Sequence, residues 1–246
     1  MDEQPLLITP DMLLSRRLDF ERRMNRAPRA TLAIIAVLAA VFAVEAAMDA
    51  LDTPQTLVAM GALSRPAVLA GQYWRLITAT LLHGSLAHLA GNAVALYILG
   101  MVCEHAFGRA QFILLYAASG VAGSLLSTMT SPGPSVGASG AIFGLQAAAI
   151  VLFRSHRDRL LVRDRRIGFV LLVWAAYSIV SGILTPYIDN GAHIGGAIAG
   201  ALIARRLHPV VLESMPEAKA AAVTRWLWVV AAGVAYALVG IARSLL

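Results

Sequence analysis

A serine and a histidine stand in similar glycine-rich settings within an apolar chain. Ser139 lies in Gly137-Ala138-Ser139-Gly140-Ala141-Ile142-Phe143-Gly144, and His193 in Asn190-Gly191-Ala192-His193-Ile194-Gly195-Gly196-Ala197-Ile198-Ala199-Gly200. A histidine that takes the hydroxyl proton turns serine into a nucleophile. Each residue also has an ordinary explanation. A serine opening a helix is commonly its N-cap, and an intramembrane histidine can be a packing residue or part of a proton path. Glycines four apart let membrane helices approach closely. The chemical reading gains from convergence: two glycine-faced helices could meet, one offering Ser139 and the other His193. A second polar group, His83, His88 and Asn92, falls in another apolar stretch. His88 and Asn92, at i and i+4, share a helix face, whereas His83 would look about 140° away on a continuous helix.

The elements that must position these residues are membrane helices. Of the 246 residues, 59% are hydrophobic and 14% charged, and the mean hydropathy is +0.72. The apolar residues form blocks long enough to cross a hydrocarbon core of about 30 Å. Backbone groups there must be satisfied internally, and continuous apolar runs predict helices rather than barrel strands. Seven spans are expected, at about 31–48, 79–102, 110–130, 137–153, 167–186, 191–207 and 223–243. The first is read as a retained helix rather than a signal peptide, because its polar leader is long for a signal-peptide n-region and the block is near spanning length. Glu45 lies near its far end, where it can reach the interface. The connection 49–78 contains Pro54, Pro66 and Trp74-Arg75, and a connection of that length is expected to be functional or ordered by its own packing.

Charge placement sets the expected orientation. With the N-terminus inside, all but Arg65, Arg75 and Arg243 of the 20 basic residues fall in cytoplasmic segments, the asymmetry of the positive-inside rule. That also accounts for the net charge of +6 without a nucleic-acid partner. The single Cys103 excludes an internal disulfide and fits no zinc spacing. No metal is expected, because the histidines lack an i, i+4 pairing and a neighbouring acid.

These motifs resemble, in order, the signatures of the rhomboid family of intramembrane serine proteases. Gly137-Ala138-Ser139-Gly140 and Ala192-His193-x-x-Gly196-x-x-x-Gly200 resemble its two catalytic motifs. The stretch from His83 through His88 to Asn92 resembles its second-helix motif, and Trp74-Arg75 its first-loop pair. Glu104, Gly108-Arg109 and Phe112 resemble the segment between its second and third helices. The likeness covers about residues 30–208. It implies an all-α six-helix core (30–208), preceded by an Arg-rich cytoplasmic tail (1–29) and followed by a linker and a seventh helix (209–246).

The resemblance implies a Ser139–His193 dyad without a carboxylate, and no cofactor. His88 and Asn92 would donate to the oxyanion with the Ser139 backbone N–H, and Gly137 would let substrate approach. His83 would keep polar groups and water in the cavity. Family members carry an aromatic residue at the position of Phe143, one turn below Ser139, where it would stack on His193. Trp74 and Arg75 would anchor the first loop at the interface; Glu104 and Arg109 are structural, as are Gly196 and Gly200. Asp189, four residues before His193, matches no catalytic position of the family. It is expected to cap the helix start, and its replacement by alanine to leave most activity. Substrates would be transmembrane segments of other proteins, cut near the outer surface. The alanine- and arginine-rich composition, the short tail and the absence of a transit-type leader imply a bacterial inner membrane, with the C-terminus outside.

Two other classes compete. A transporter or proton channel would use His83, His88 and His193 as a relay, but it leaves Ser139 unexplained, and discontinuous spans in matching halves are not evident. A client-binding relative without activity would be marked by loss of the serine or histidine, and both are present.

Overall fold

The computed structural model describes residues 17–24, 26–185 and 188–244. Among the described residues all regular elements are helical: α1 (Phe20–Arg23), α2 (Arg29–Ala47), α3 (Pro54–Ala59), α4 (Arg65–Leu69), α5 (Arg75–Thr78), α6 (Leu86–Thr130), α7 (Ser139–Ser155), α8 (Val162–Leu184), α9 (Asn190–Ala204) and α10 (Glu217–Ser244), with a 3-10 turn at Arg157–Arg159. Four of them, α2, α6, α8 and α10, are long and apolar enough to cross a membrane, while α7 and α9 are shorter apolar helices. Large apolar side chains are exposed on the outer helices, among them Phe169, Tyr177 and Ile183 on α8 and Leu238 on α10. Such a surface suits lipid rather than water.

A straight α6 of 45 residues would be about 68 Å long, far more than one crossing. It reverses at Gly108, whose φ of 77° is non-helical and costs glycine little. The neighbours of α7 reveal the reversal. Asn92 lies by Gly137 and the Cys103 thiol donates to the Leu145 carbonyl at 3.3 Å, so the first arm runs alongside α7 in the same direction. Gly123 lies by Gly140, and Ser119 by Gly144, so the second arm runs the opposite way. These arms correspond to the second and third expected spans.

The first arm starts later than 79, at Leu86, with Ser85 as N-cap accepting the His88 N–H at 3.2 Å. Residues 79–85 form turns instead. The fifth span starts earlier than 167, at Val162, and its expected end at 186 lies outside the described residues. There Asp164 is buried and accepts the Phe20 N–H at 2.9 Å, joining the N-terminal segment to α8. The Phe20 ring packs edge-on against Phe153 at 5.1 Å, so part of the arginine-rich leader docks on the bundle. Most of the expected tail, residues 1–16, lies outside the described residues.

Glu104 explains how α2 begins. Its N-cap is Pro28, which has no side chain able to cap. The Glu104 carboxylate fills that role from α6, accepting Ala30 N–H at 3.1 Å, Thr31 N–H at 2.9 Å and the Thr31 hydroxyl at 2.9 Å. Gly100, one turn away, leaves room for Thr31; a Cβ there would come within 2.6 Å of it. Removing a capping acceptor typically costs about 1–2 kcal/mol. Glu104→Ala is therefore expected to lower the melting temperature in detergent by roughly 2–6 °C, and Glu104→Gln by less, as differential scanning fluorimetry would measure.

The first loop is held from within. The Arg75 side chain donates to Gln72 at 2.6 Å and to the Val58 and Ala62 carbonyls at 2.6 and 2.9 Å, and lies 4.5 Å over the Trp74 ring. Trp74 is buried and sits against Gly240 of α10. It therefore docks the last helix rather than facing the interface, because that glycine leaves the indole room.

Candidate active site

Ser139 and His193 come from α7 and α9, two helices that pack backbone against backbone. A Cβ at Gly196 would fall on the Gly140 carbonyl, and one at Gly200 on the Gly144 carbonyl. The opposite face of the seam is closed by α6: a Cβ at Gly123 would lie 2.7 Å from the Ala192 carbonyl. Small residues make this approach possible. The His193 Nε2 lies 3.0 Å from the Ser139 Oγ. Ser139 is the first helical residue and Ala138 occupies the N-cap position, so the serine's contact is with the imidazole and not a cap. Phe143 stacks on the His193 ring, centroids 4.1 Å apart and planes 13° from parallel. The ring is thus held on one face and by its Nε2, while its buried Nδ1 has no hydrogen-bond partner among the described residues.

Asp189 is the N-cap of α9 and accepts the Ala192 N–H at 3.0 Å. Its carboxylate is also bonded to Ser127 and, at 2.7 Å, to Ser131. It makes no bond to His193 Nδ1.

The second polar group gathers beside the serine. Gly137 has φ +124°, and a Cβ on it would lie 2.6 Å from His88 Cε1 and 3.4 Å from Asn92 Nδ2. Glycine is required there on both counts. Its N–H donates to the Ala79 carbonyl at 2.8 Å. His88 and Asn92 therefore line the segment leading into Ser139, as their shared face implies.

His83 is placed differently from expectation. It precedes the Ser85 N-cap, so helical angles do not apply to it. Instead of looking away, its ring meets His88 edge-on at 5.1 Å, and its Nε2 lies 3.0 Å from Asn92 Nδ2. Its Nδ1 is 3.2 Å from the Leu81 carbonyl. That carbonyl can only accept, so Nδ1 carries the ring proton and Nε2 accepts from the Asn92 amide.

Glu45 also departs from expectation. It does not reach the interface but is fully buried, and its two oxygens accept the His83 N–H at 3.0 and 3.2 Å. A carboxylate in an apolar span needs such a donor. Sequence reasoning missed this partner, although the lone acid in an apolar run was its signal. Among the described residues no three His, Cys, Asp or Glu side chains gather as metal ligands.

An all-helical membrane bundle with a hydroxyl and an imidazole in contact at a glycine-lined junction defines a narrow class of protein. A family model, the Rhomboid domain, matches residues 70–210. The chain is similar to the rhomboid protease GluP of Bacillus subtilis, 41% identical over 62% of this chain and 30% of that protein. It is 39% identical to RHOMBOID-like protein 5 of Arabidopsis thaliana over 59% of this chain and 47% of the relative. It is 31% identical to the rhomboid protease AarA of Providencia stuartii, over 60% of each. The chain thus spans less than two thirds of each of these relatives. It belongs to the rhomboid family, a family that includes proteases, and is a multi-pass integral membrane protein.

Proposed function

We propose that the chain is an intramembrane serine endopeptidase that cuts transmembrane segments of other membrane proteins near the outer surface. The observation that carries this reading is the 3.0 Å contact between His193 Nε2 and Ser139 Oγ, with the imidazole stacked on Phe143. His193 would take the hydroxyl proton as Ser139 attacks the scissile carbonyl, then return it to the leaving amine. Phe143 does the orienting that a carboxylate performs in triads. His88, the Asn92 amide and the Ser139 backbone N–H would donate to the oxyanion. His83 would fix the Asn92 amide, and Gly137 would keep the approach open. Trp74, Arg75, Glu104, Gly196 and Gly200 act through the scaffold.

In this reading residues 30–208 are the six-helix catalytic core, 1–29 a cytoplasmic tail, and 209–246 a linker and seventh span. The basic residues favour a cytoplasmic N-terminus and an outer C-terminus; a bacterial inner membrane is the proposed site. The partners are substrate helices and the bilayer, with no nucleic acid, cofactor or metal.

The test is active-site labelling. A fluorophosphonate incubated with the purified protein in liposomes should modify Ser139, located by mass spectrometry, and should leave Ser139→Ala unlabelled. Labelling elsewhere alone, or none alongside intact folding, would remove the serine nucleophile. Asn92→Ala is expected to lower kcat by about 10²–10³-fold, the usual loss for one oxyanion donor. Steady-state cleavage of a single-span substrate would read it.

A further inference from the structure

We propose that Asp189 is a positioning residue that sets the register of the histidine helix against the serine segment. The inference rests on the protease reading and adds a residue to it.

The seam between α7 and α9 is lined with glycines. It allows close approach, but it offers few side chains that could interlock and stop one helix sliding along the other. A slide of one residue moves a side chain about 1.5 Å along the axis, enough to separate Nε2 from Oγ. Some group outside the seam must fix the register.

Asp189 has the geometry to do so. Its carboxylate caps α9 through Ala192, and its own carbonyl accepts the His193 N–H at 3.2 Å. The same carboxylate accepts the hydroxyls of Ser127 and Ser131, which stand four residues apart where α6 ends. Ser131 is also the C-cap of α6 and opens the connection that leads to Ser139. Ser135 lies in the connection to Ser139, exchanging backbone bonds with Leu63 at 2.9 and 3.1 Å. One carboxylate therefore ties the end of α6, where the connection to Ser139 begins, to the start of the His193 helix. Gly191 keeps the junction tight, since a Cβ there would strike the Thr130 hydroxyl. Capping alone would leave most activity after substitution; the two serines at the end of α6 change that expectation.

The test compares kcat and KM of wild type, Asp189→Ala, Asp189→Asn and Ser127→Ala/Ser131→Ala on a single-span substrate in liposomes. Rates are expressed per site titrated with a fluorophosphonate. Asp189→Ala should lower kcat by roughly 10–100-fold, the scale of a displacement near 1 Å, with KM unchanged. Asp189→Asn, which keeps one acceptor oxygen, should recover part of the loss. In the double-serine background Asp189→Ala should add little. Wild-type kcat in Asp189→Ala overturns the inference. So does a loss that lies wholly in the titrated fraction, which would mark a folding defect, and so does a loss equal to that of His193→Ala, which would mark a catalytic carboxylate. Failure of the wild type to cleave any substrate segment would be a different result: it would sink the protease reading, and this inference with it.

Discussion

Alanine in place of Ser139 or His193 is expected to silence cleavage of a reconstituted single-span substrate, by about 10⁴-fold or more, the scale on which serine hydrolases lose rate when nucleophile or base is removed. The two losses should not add. Without His193, Ser139 loses the imidazole in contact with its hydroxyl, and the Asp189 carboxylate is engaged with Ser127, Ser131 and Ala192. Without Ser139, the imidazole has no hydroxyl to activate. The double variant should therefore match either single one, as groups acting as one unit do. Ser139→Ala should melt near the wild type, since only one hydrogen bond at the seam is lost, whereas His193→Ala also gives up the stacking on Phe143 and should melt lower. Gel and mass spectrometry on the three variants beside wild type would read this. Cleavage surviving in Ser139→Ala would mean a different nucleophile, and silence of all four would favour a client-binding relative.

Much of this arrangement was legible along the chain because it is local. Ser139, Phe143 and Gly144 are fixed relative to one another by one helix, as are His193, Gly196 and Gly200. Helical spacing is enough to place Phe143 one turn from the serine and the glycines on the histidine's face. His88 and Asn92 share a face for the same reason. What periodicity could not show was where a helix stops. Helical spacing sets His83 on the far side, but the helix begins after it, at Leu86. Glu45 and Trp74 depart from expectation for another reason: their surroundings are tertiary. Glu45 is buried by a turn 38 residues downstream, and Trp74 by a glycine on the last helix. A charge or an indole near the end of a span looks interfacial until its partner is known. The capping role of Glu104 is likewise hidden, since donor and acceptor lie more than 70 residues apart.

The glycine seam supplies the other large effect. Gly196→Val is expected to disrupt the bundle itself. At Gly196 even a Cβ would overlap the Gly140 carbonyl, and the next nearest atoms are backbone too. Backbone cannot swing aside as a side chain does, so α9 must move away from α7 and carry His193 off Ser139. Overpacking of a core ordinarily costs about 1–3 kcal/mol. A clash with a helix backbone should exceed that range and lower the melting temperature by roughly 10 °C or more, with cleavage lost in the fraction still folded. Gly91→Ala is the matched control. It lies on α6, with nothing within 4 Å of its Cβ position, and alanine there should be neutral or stabilising by up to about 1 kcal/mol. Scanning fluorimetry and cleavage of the two variants side by side would separate the cost of crowding the seam from the general effect of removing a helical glycine. Equal behaviour of the two would mean that the close approach of α7 and α9 is not what holds Ser139 to His193.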